Sequence, residues 1–203
     1  MPHETLGLLG KDSIVNVYLG DCVEKTMTIL FADIRDFSTL SEDMTPRENF
    51  VFINEYLNRM EPVITQHGGI IDKYLGDGIM ALFPTDADNA LHGAIEMLRA
   101  LDGYNAGRKL SGVEPVRIGI GMNTGLMLLG VIGGSKRLES TVISDAVNLA
   151  ARIEAMTKKY RTPLLISEHT YYSLRDATHH DIRFLDRVRV KGKKQPQSVH
   201  EVY

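Results

Sequence analysis

The chain has 203 residues, 43% of them hydrophobic, which is enough to bury one sizeable core and suits a single domain better than two. Its 23 basic and 26 acidic residues leave a formal net charge of −3, so there is no broad attraction for nucleic acid or an anionic membrane, and any anion-binding site has to be local. The single cysteine, Cys22, excludes an intrachain disulfide and a cysteine-rich zinc site, and no run approaches the roughly 20 apolar residues that span a bilayer.

Met1 to Gly20 lacks the basic start and apolar centre of a signal peptide, and residues 1–24 read as a connecting segment ahead of one domain over 25–203. The expected setting is therefore cytoplasmic, with no membrane contact by this stretch. Thr26 to Ala32 is a short apolar, partly β-branched run that reads as a buried strand ending at Asp33. Thr45-Pro-Arg-Glu48 has the form of a capping box with proline at the first helical position, and the apolar spacing of Phe50, Ile53, Leu57, Met60 and Ile64 predicts a helix to about Gln66. Two apolar runs, Ile70 to Leu75 and Ile79 to Phe83, flank Gly76-Asp77-Gly78 as a β-hairpin, and Ala87 to about Asn105 predicts a second amphipathic helix.

Val116 to Ile120 and Leu126 to Ile132 read as a strand pair separated by a glycine-bearing turn, followed by a polar stretch from Gly133 to Ser140. Ser144 or Asp145 caps a helix running to about Thr157, which sets Asn148 and Arg152, four apart, on one face. Leu164 to Ser167, Arg183 to Val190 and Val199 to Tyr203 supply further strands, with a short helix after Glu168. Elements mix without strict βαβ alternation, so the expected class is α+β, an antiparallel or mixed sheet with helices on one face.

Two acids stand where this pattern could hold chemistry. Asp33 follows a strand and can coordinate a divalent cation beside main-chain N–H groups, or it can simply cap a helix. Asp77 sits between glycines, where little bulk surrounds it, yet an Asp-Gly turn is ordinarily just a hairpin turn. Their surroundings carry the distinction. FADIRDFSTLSE at 31–42 and DKYLGDGIMALF at 72–83 resemble the two metal-binding segments of class III nucleotide cyclases. TVISDAVNLAAR at 141–152 is similar to the family's transition-state segment, and RIGIGMNTG at 117–125 to its central strand and turn.

This resemblance implies a ferredoxin-like α+β core working as a homodimer, and two divalent metal ions, Mg²⁺ or Mn²⁺, on Asp33 and Asp77 with the Ile34 carbonyl as a further ligand. It places Asn148 at the ribose and Arg152 at the α-phosphate in the transition state, where a planar, permanently charged fork suits phosphoryl oxygens. Lys191 falls at a position that reaches the terminal phosphates, and Phe37 among the substrate contacts. Lys73 and Thr141 match the base-reading pair: the ammonium can only donate, which suits adenine N1, and the hydroxyl can accept from N6. The implied reaction is conversion of ATP to 3′,5′-cyclic AMP and pyrophosphate, at centres shared between protomers, in a parent protein with an upstream sensory domain. A hydroxyl also donates, so some use of GTP is compatible with Thr141. The alternatives are a catalytically silent nucleotide-binding module and, further off, a diguanylate cyclase or polymerase-palm relative. The chain departs from the common motif at Asp36, where glycine is usual, and at Ser144, often glycine.

Overall fold

In the computed structural model, which describes residues 3–11, 16–134, 137–189 and 196–203, the organising element is strand β1 (Cys22–Ile34). It pairs antiparallel along its whole length with β4 (Ile118–Gly134), and on its other edge with β3 (Gly78–Phe83), itself hairpinned to β2 (Ile70–Leu75). Beyond β4 lie β6 (Leu164–Ser167), β8 (Gln197–Val202) and β7 (Ile182–Val188), so the sheet runs β2-β3-β1-β4-β6-β8-β7. The β4–β6 pairing is parallel, whereas β5 (Arg137–Ile143) folds back antiparallel on the far half of β4. The sheet is thus mixed, as expected for the α+β class.

Alternation along β1 separates two faces. Leu30, Ala32 and Ile34 are buried in one cluster with residues of α3 (Pro46–Gln66) and α4 (Ala87–Leu110). Met27 and Ile29 are buried on the opposite face with Met80, Met127 and Ala150, the last from α5 (Asp145–Tyr160). Helices therefore cover both faces, which corrects the expectation of one. The helix α5 contributes Leu149 and Ile153 to a further cluster with Leu165 and Val199. A short helix α1 (His3–Leu8) precedes the sheet, and Leu6 and Val17 pack on Val131 at the far end of β4.

The capping box of α3 is formed: Thr45 N donates to Glu48 at 2.8 Å, and Thr45 Oγ1 accepts from Glu48 N at 3.3 Å. A larger difference concerns residues 116–140. The expected strand pair is one continuous strand, β4, with no turn at Asn123-Thr124-Gly125, and part of the expected polar stretch is the strand β5. The glycines there serve close packing instead. A Cβ at Gly121 would lie 2.0 Å from the Glu154 nitrogen, and one at Gly125 would lie 3.0 Å from the Ala146 Cβ, so α5 is seated directly on bare β4 backbone.

Candidate active site

Strand pairing brings the first candidate acids together. Asp33 stands at the end of β1 opposite Gly119 of β4, and Asp77 occupies the tight turn between β2 and β3 beside Gly76, whose φ of 69° is left-handed. Because β3 is hydrogen-bonded to β1, the turn lies alongside the end of that strand. The Asp33 carboxyl is pushed up to about 6, first by partial burial and then by the charge and hydrogen bonding of Asp77, with Arg35 opposing. A Cβ at Gly78 would approach Asp33 Oδ1 to 3.1 Å, so the absence of a side chain there keeps the space around the acids clear. Ile34, the next residue, is buried, and its N–H hydrogen-bonds back to the Asp33 carboxyl.

Two like charges this close favour a shared cation, and carboxylate plus main-chain oxygen is the donor set that hard divalent ions take. The residues fit such an ion. Among the described residues no cluster of three or more His, Cys, Asp or Glu surrounds one point.

The chain leaves β1 through Arg35 and Asp36 into a short helix α2 (Phe37–Leu40). Asp36 has φ 52°, ψ 36°, a left-handed conformation that accounts for glycine as the usual residue at this place. Its carboxylate is neither at the acid pair nor free: it meets Lys158 at 2.6 Å and Arg117 at 3.9 Å, and those partners hold its pKa low. The Phe37 ring stacks on Phe52 at 6.3 Å and packs on the core, so its side chain is committed to the fold. Ser144 acts as the cap of α5, accepting from Ala146 N at 3.0 Å and donating to the Leu126 carbonyl at 2.7 Å.

Lys73 lies 3.1 Å from Asp72 Oδ2 in an ion pair, although neither Asp72 oxygen makes a hydrogen bond. Burial raises the Asp72 carboxyl; Lys73 opposes this, and the Glu139 charge adds to it. Glu139, whose charge reaches Asp72, is two residues from Thr141 on β5. Asn148 is exposed and Arg152 half-buried on α5. Lys191 lies outside the described residues.

The residue of α5 directed at the acid pair is Glu154, not Arg152. The Glu154 carboxyl is pushed up to about 7 by burial and then by Asp33, with Asp77 adding to it and Arg35 opposing. Positions two apart on a helix differ by about 200°, so Arg152 leaves α5 in a different direction from Glu154. Arg35 bridges the gap, with Nη1 3.8 Å from Glu154 Oε1 and Nη2 donating to Thr157 Oγ1. The sequence motifs did not single out Arg35, Glu154 or Thr157; the readable sign was the alternating glycines Gly119 and Gly121, which leave room for them. A cavity of about 700 Å³ opens behind this bridge, between Leu98, Leu101, Arg117, Lys158 and Arg161, and neither Asp33 nor Asp77 lines it.

Paired acids at the ends of adjacent strands, with α5 packed over them, suit a nucleotide-cyclising type of catalytic domain. The chain belongs to the adenylate and guanylate cyclase catalytic domain family, whose model matches residues 22–201. It is similar to an adenylate cyclase of Anabaena cylindrica, 41% identical over 100% of this chain and 41% of the relative. Among solved structures it resembles the adenylyl cyclase CyaB from P. aeruginosa, with 30% identity, a TM-score of 0.81, and coverage of 90% of this chain and 95% of that one. It resembles the guanylyl cyclase Cya2 with 36% identity, a TM-score of 0.76, and coverage of 91% and 94%. Class III cyclases use divalent metals and function as dimers. The chain spans less than half the length of the Anabaena relative.

Proposed function

We propose that this domain converts ATP to 3′,5′-cyclic AMP and pyrophosphate at two equivalent centres, each shared across a homodimer. What supports this reading is that the α5 carboxyl sensing Asp33 and Asp77 is Glu154, which stands about 200° around the helix from Arg152. The Asp33–Asp77 pair faces Glu154 of its own chain, and the nearby Arg35 is committed to Glu154 and Thr157, so Arg152 is assigned to the centre of another chain. An isologous dimer presents both halves twice. The cavity behind Arg35 is then not the nucleotide site, because the cleft at the acids is walled by the second protomer.

In this mechanism Asp33, Asp77 and the Ile34 carbonyl would hold divalent cations, which would lower the pKa of the ribose 3′-hydroxyl and offset charge on the phosphates. From the partner, Lys73 and Thr141 orient the adenine, and Asn148 holds the ribose so that the 3′-oxygen lies in line with the α-phosphorus. Attack forms the new P–O bond, the bond to the β-phosphate breaks, pyrophosphate leaves, and the hydroxyl proton passes to solvent. Arg152 donates to the α-phosphoryl oxygens as their charge rises. Positioning and charge stabilisation account for the rate in such a transfer. Lys191 is assigned to the terminal phosphates, and Phe37, its ring committed to the core, to main-chain contact only.

Overall likeness does not select the base, since the chain resembles an adenylyl and a guanylyl cyclase alike. The preference for ATP rests on the Lys73 ammonium, a pure donor. No helix among the described residues is long and apolar enough to cross a membrane, and we assign the domain to the cytoplasm behind an upstream sensory region. Incubating the purified protein with Mg²⁺ or Mn²⁺ and either ATP or GTP, then identifying the cyclic product, tests the activity. ATP binding without cyclic product means a silent module; comparable turnover of both nucleotides refutes the base assignment. Mixing an Asp33→Ala chain with an Arg152→Ala chain should restore activity, and no recovery would refute shared centres.

A further inference from the structure

We infer that Arg35 is a positioning residue that seats helix α5, and that it thereby sets Asn148 and Arg152 for the centre its chain completes in the partner, not for the centre built on its own Asp33. The inference rests on the shared-centre reading.

Arg35 leaves β1 with its N–H on the Arg117 carbonyl at 2.7 Å, which anchors its main chain to the residue preceding β4. Its guanidinium then crosses Gly119, where a Cβ would fall 2.1 Å from Nη2, and ends between Glu154 and Thr157. The Arg35 and Glu154 side chains keep only 14% and 15% of their exposure, and the Thr157 side chain is fully buried. Thr157 Oγ1 accepts from Arg35 and donates to the Glu154 carbonyl, so one hydroxyl ties the guanidinium to the helix main chain. A planar fork with several fixed donors can hold a carboxylate and a hydroxyl together; a lysine ammonium at the same place could not reach both in fixed directions.

The contact is local in sequence to Asp33 but mechanical in its effect on α5. Glu154 and Thr157 form the face of the helix that meets the sheet, whereas Asn148 and Arg152 lie on another. Loss of the tie frees the C-terminal half of α5 to rotate or lift, and the Arg152 fork moves with it. The surface pairs of Asp36 with Lys158 and Arg117 run beside the tie but are exposed and screened, so they do not replace it.

Heterodimers separate the two roles. An Asp77→Ala chain mixed with an Arg152→Ala chain forms one working centre, with metal acids from the second chain and the α5 half from the first; both homodimers are dead. Asp77 is removed in preference to Asp33 because Asp33 contributes to the field around Arg35. Arg35→Ala is then placed in the Asp77→Ala chain, whose own metal half is out of use. We expect kcat to fall about 30-fold with the KM for ATP within about twofold, as a displaced transition-state group requires. Arg35→Lys and Thr157→Val in the same chain should give smaller losses of the same kind, with thermal melts showing that each chain is folded. Unchanged kcat for all three variants there, with losses only when they are placed in the Arg152→Ala chain, would overturn the inference. A parent mixture with no activity would instead overturn shared centres, and the inference with them.

Discussion

Gly121→Ala tests whether α5 depends on bare backbone in β4. The new Cβ would stand 2.0 Å from the Glu154 nitrogen and 2.4 Å from its Cα. Both are main-chain atoms, so no rotamer change relieves the clash, and the helix must lift by roughly 1.4 Å to reach ordinary contact at about 3.4 Å. Overpacking of this kind costs about 3 kcal/mol at the upper end of its usual range. For a chain of this size each kcal/mol lowers the melting temperature by about 2–4 °C, so differential scanning calorimetry should show a fall of about 6–12 °C. A displacement above 1 Å at α5 should also cost about 100-fold in kcat, measured as cyclic product from ATP well below the melting point. Gly103→Ala is the control: it lies within α4, and its added Cβ meets nothing within 4 Å. It should raise the melting temperature by about 1–4 °C, from about 0.5–1 kcal/mol of helix preference, and leave turnover unchanged. A Gly121→Ala protein with unaltered melting and kcat within twofold would refute the account of how α5 is seated.

Thr45→Ala removes the hydroxyl of an exposed capping box and should cost about 1 kcal/mol, seen as a 2–4 °C lower melting temperature with unchanged kcat. Lys73→Met removes the donor assigned to adenine and should lower kcat/KM for ATP about 10- to 100-fold while eroding the ATP over GTP ratio. Because Asp72 would be left buried and unpaired, the double variant Asp72→Asn/Lys73→Met is the proper comparison, and an unchanged nucleotide ratio in it would count against the assignment. His200 is buried, stacked on Tyr171 at 4.4 Å, and burial depresses its pKa against the opposing charge of Glu168. The fold therefore disfavours its protonation, while the unfolded chain takes up the proton near pH 6.5, so stability falls as pH drops below about 6.5. His200→Phe should flatten the melting curve against pH between 7 and 5, His180 retaining its own share of the slope; an identical slope would refute the assignment.

The residues that declared themselves in the sequence are those whose neighbours in space are also neighbours in hydrogen-bonded strands. Asp33 ends an apolar run and Asp77 sits in a glycine turn, and the pairing of β1 with β3 is enough to join them. Capping of α3 and α5 was equally readable, because a cap is closed within a few residues. Periodicity failed where glycine had a tertiary reason. Gly121 and Gly125 look like breakers of a strand, yet with Gly119 they lie in a continuous strand onto which a helix is pressed. The hydrophobic pattern also says nothing about which face of the sheet a helix chooses, so α5 could not be assigned to the side away from α3 and α4.

The same limitation hid the support of the site. Arg35 and Glu154 are 119 positions apart, and nothing in either local segment names the other. Arg35 taken alone is a charged residue after a strand, and Glu154 taken alone is the solvated face of an amphipathic helix. Only the sheet order, with β4 beside β1, brings α5 over the end of β1 and turns these two into a buried tie. Once that tie is drawn, Glu154 is the α5 side chain set against the acids, and Arg152 leaves the helix in another direction. On the shared-centre proposal a single chain carries both halves of the chemistry and faces them towards different centres. An isolated protomer with every motif intact should therefore turn over almost no ATP.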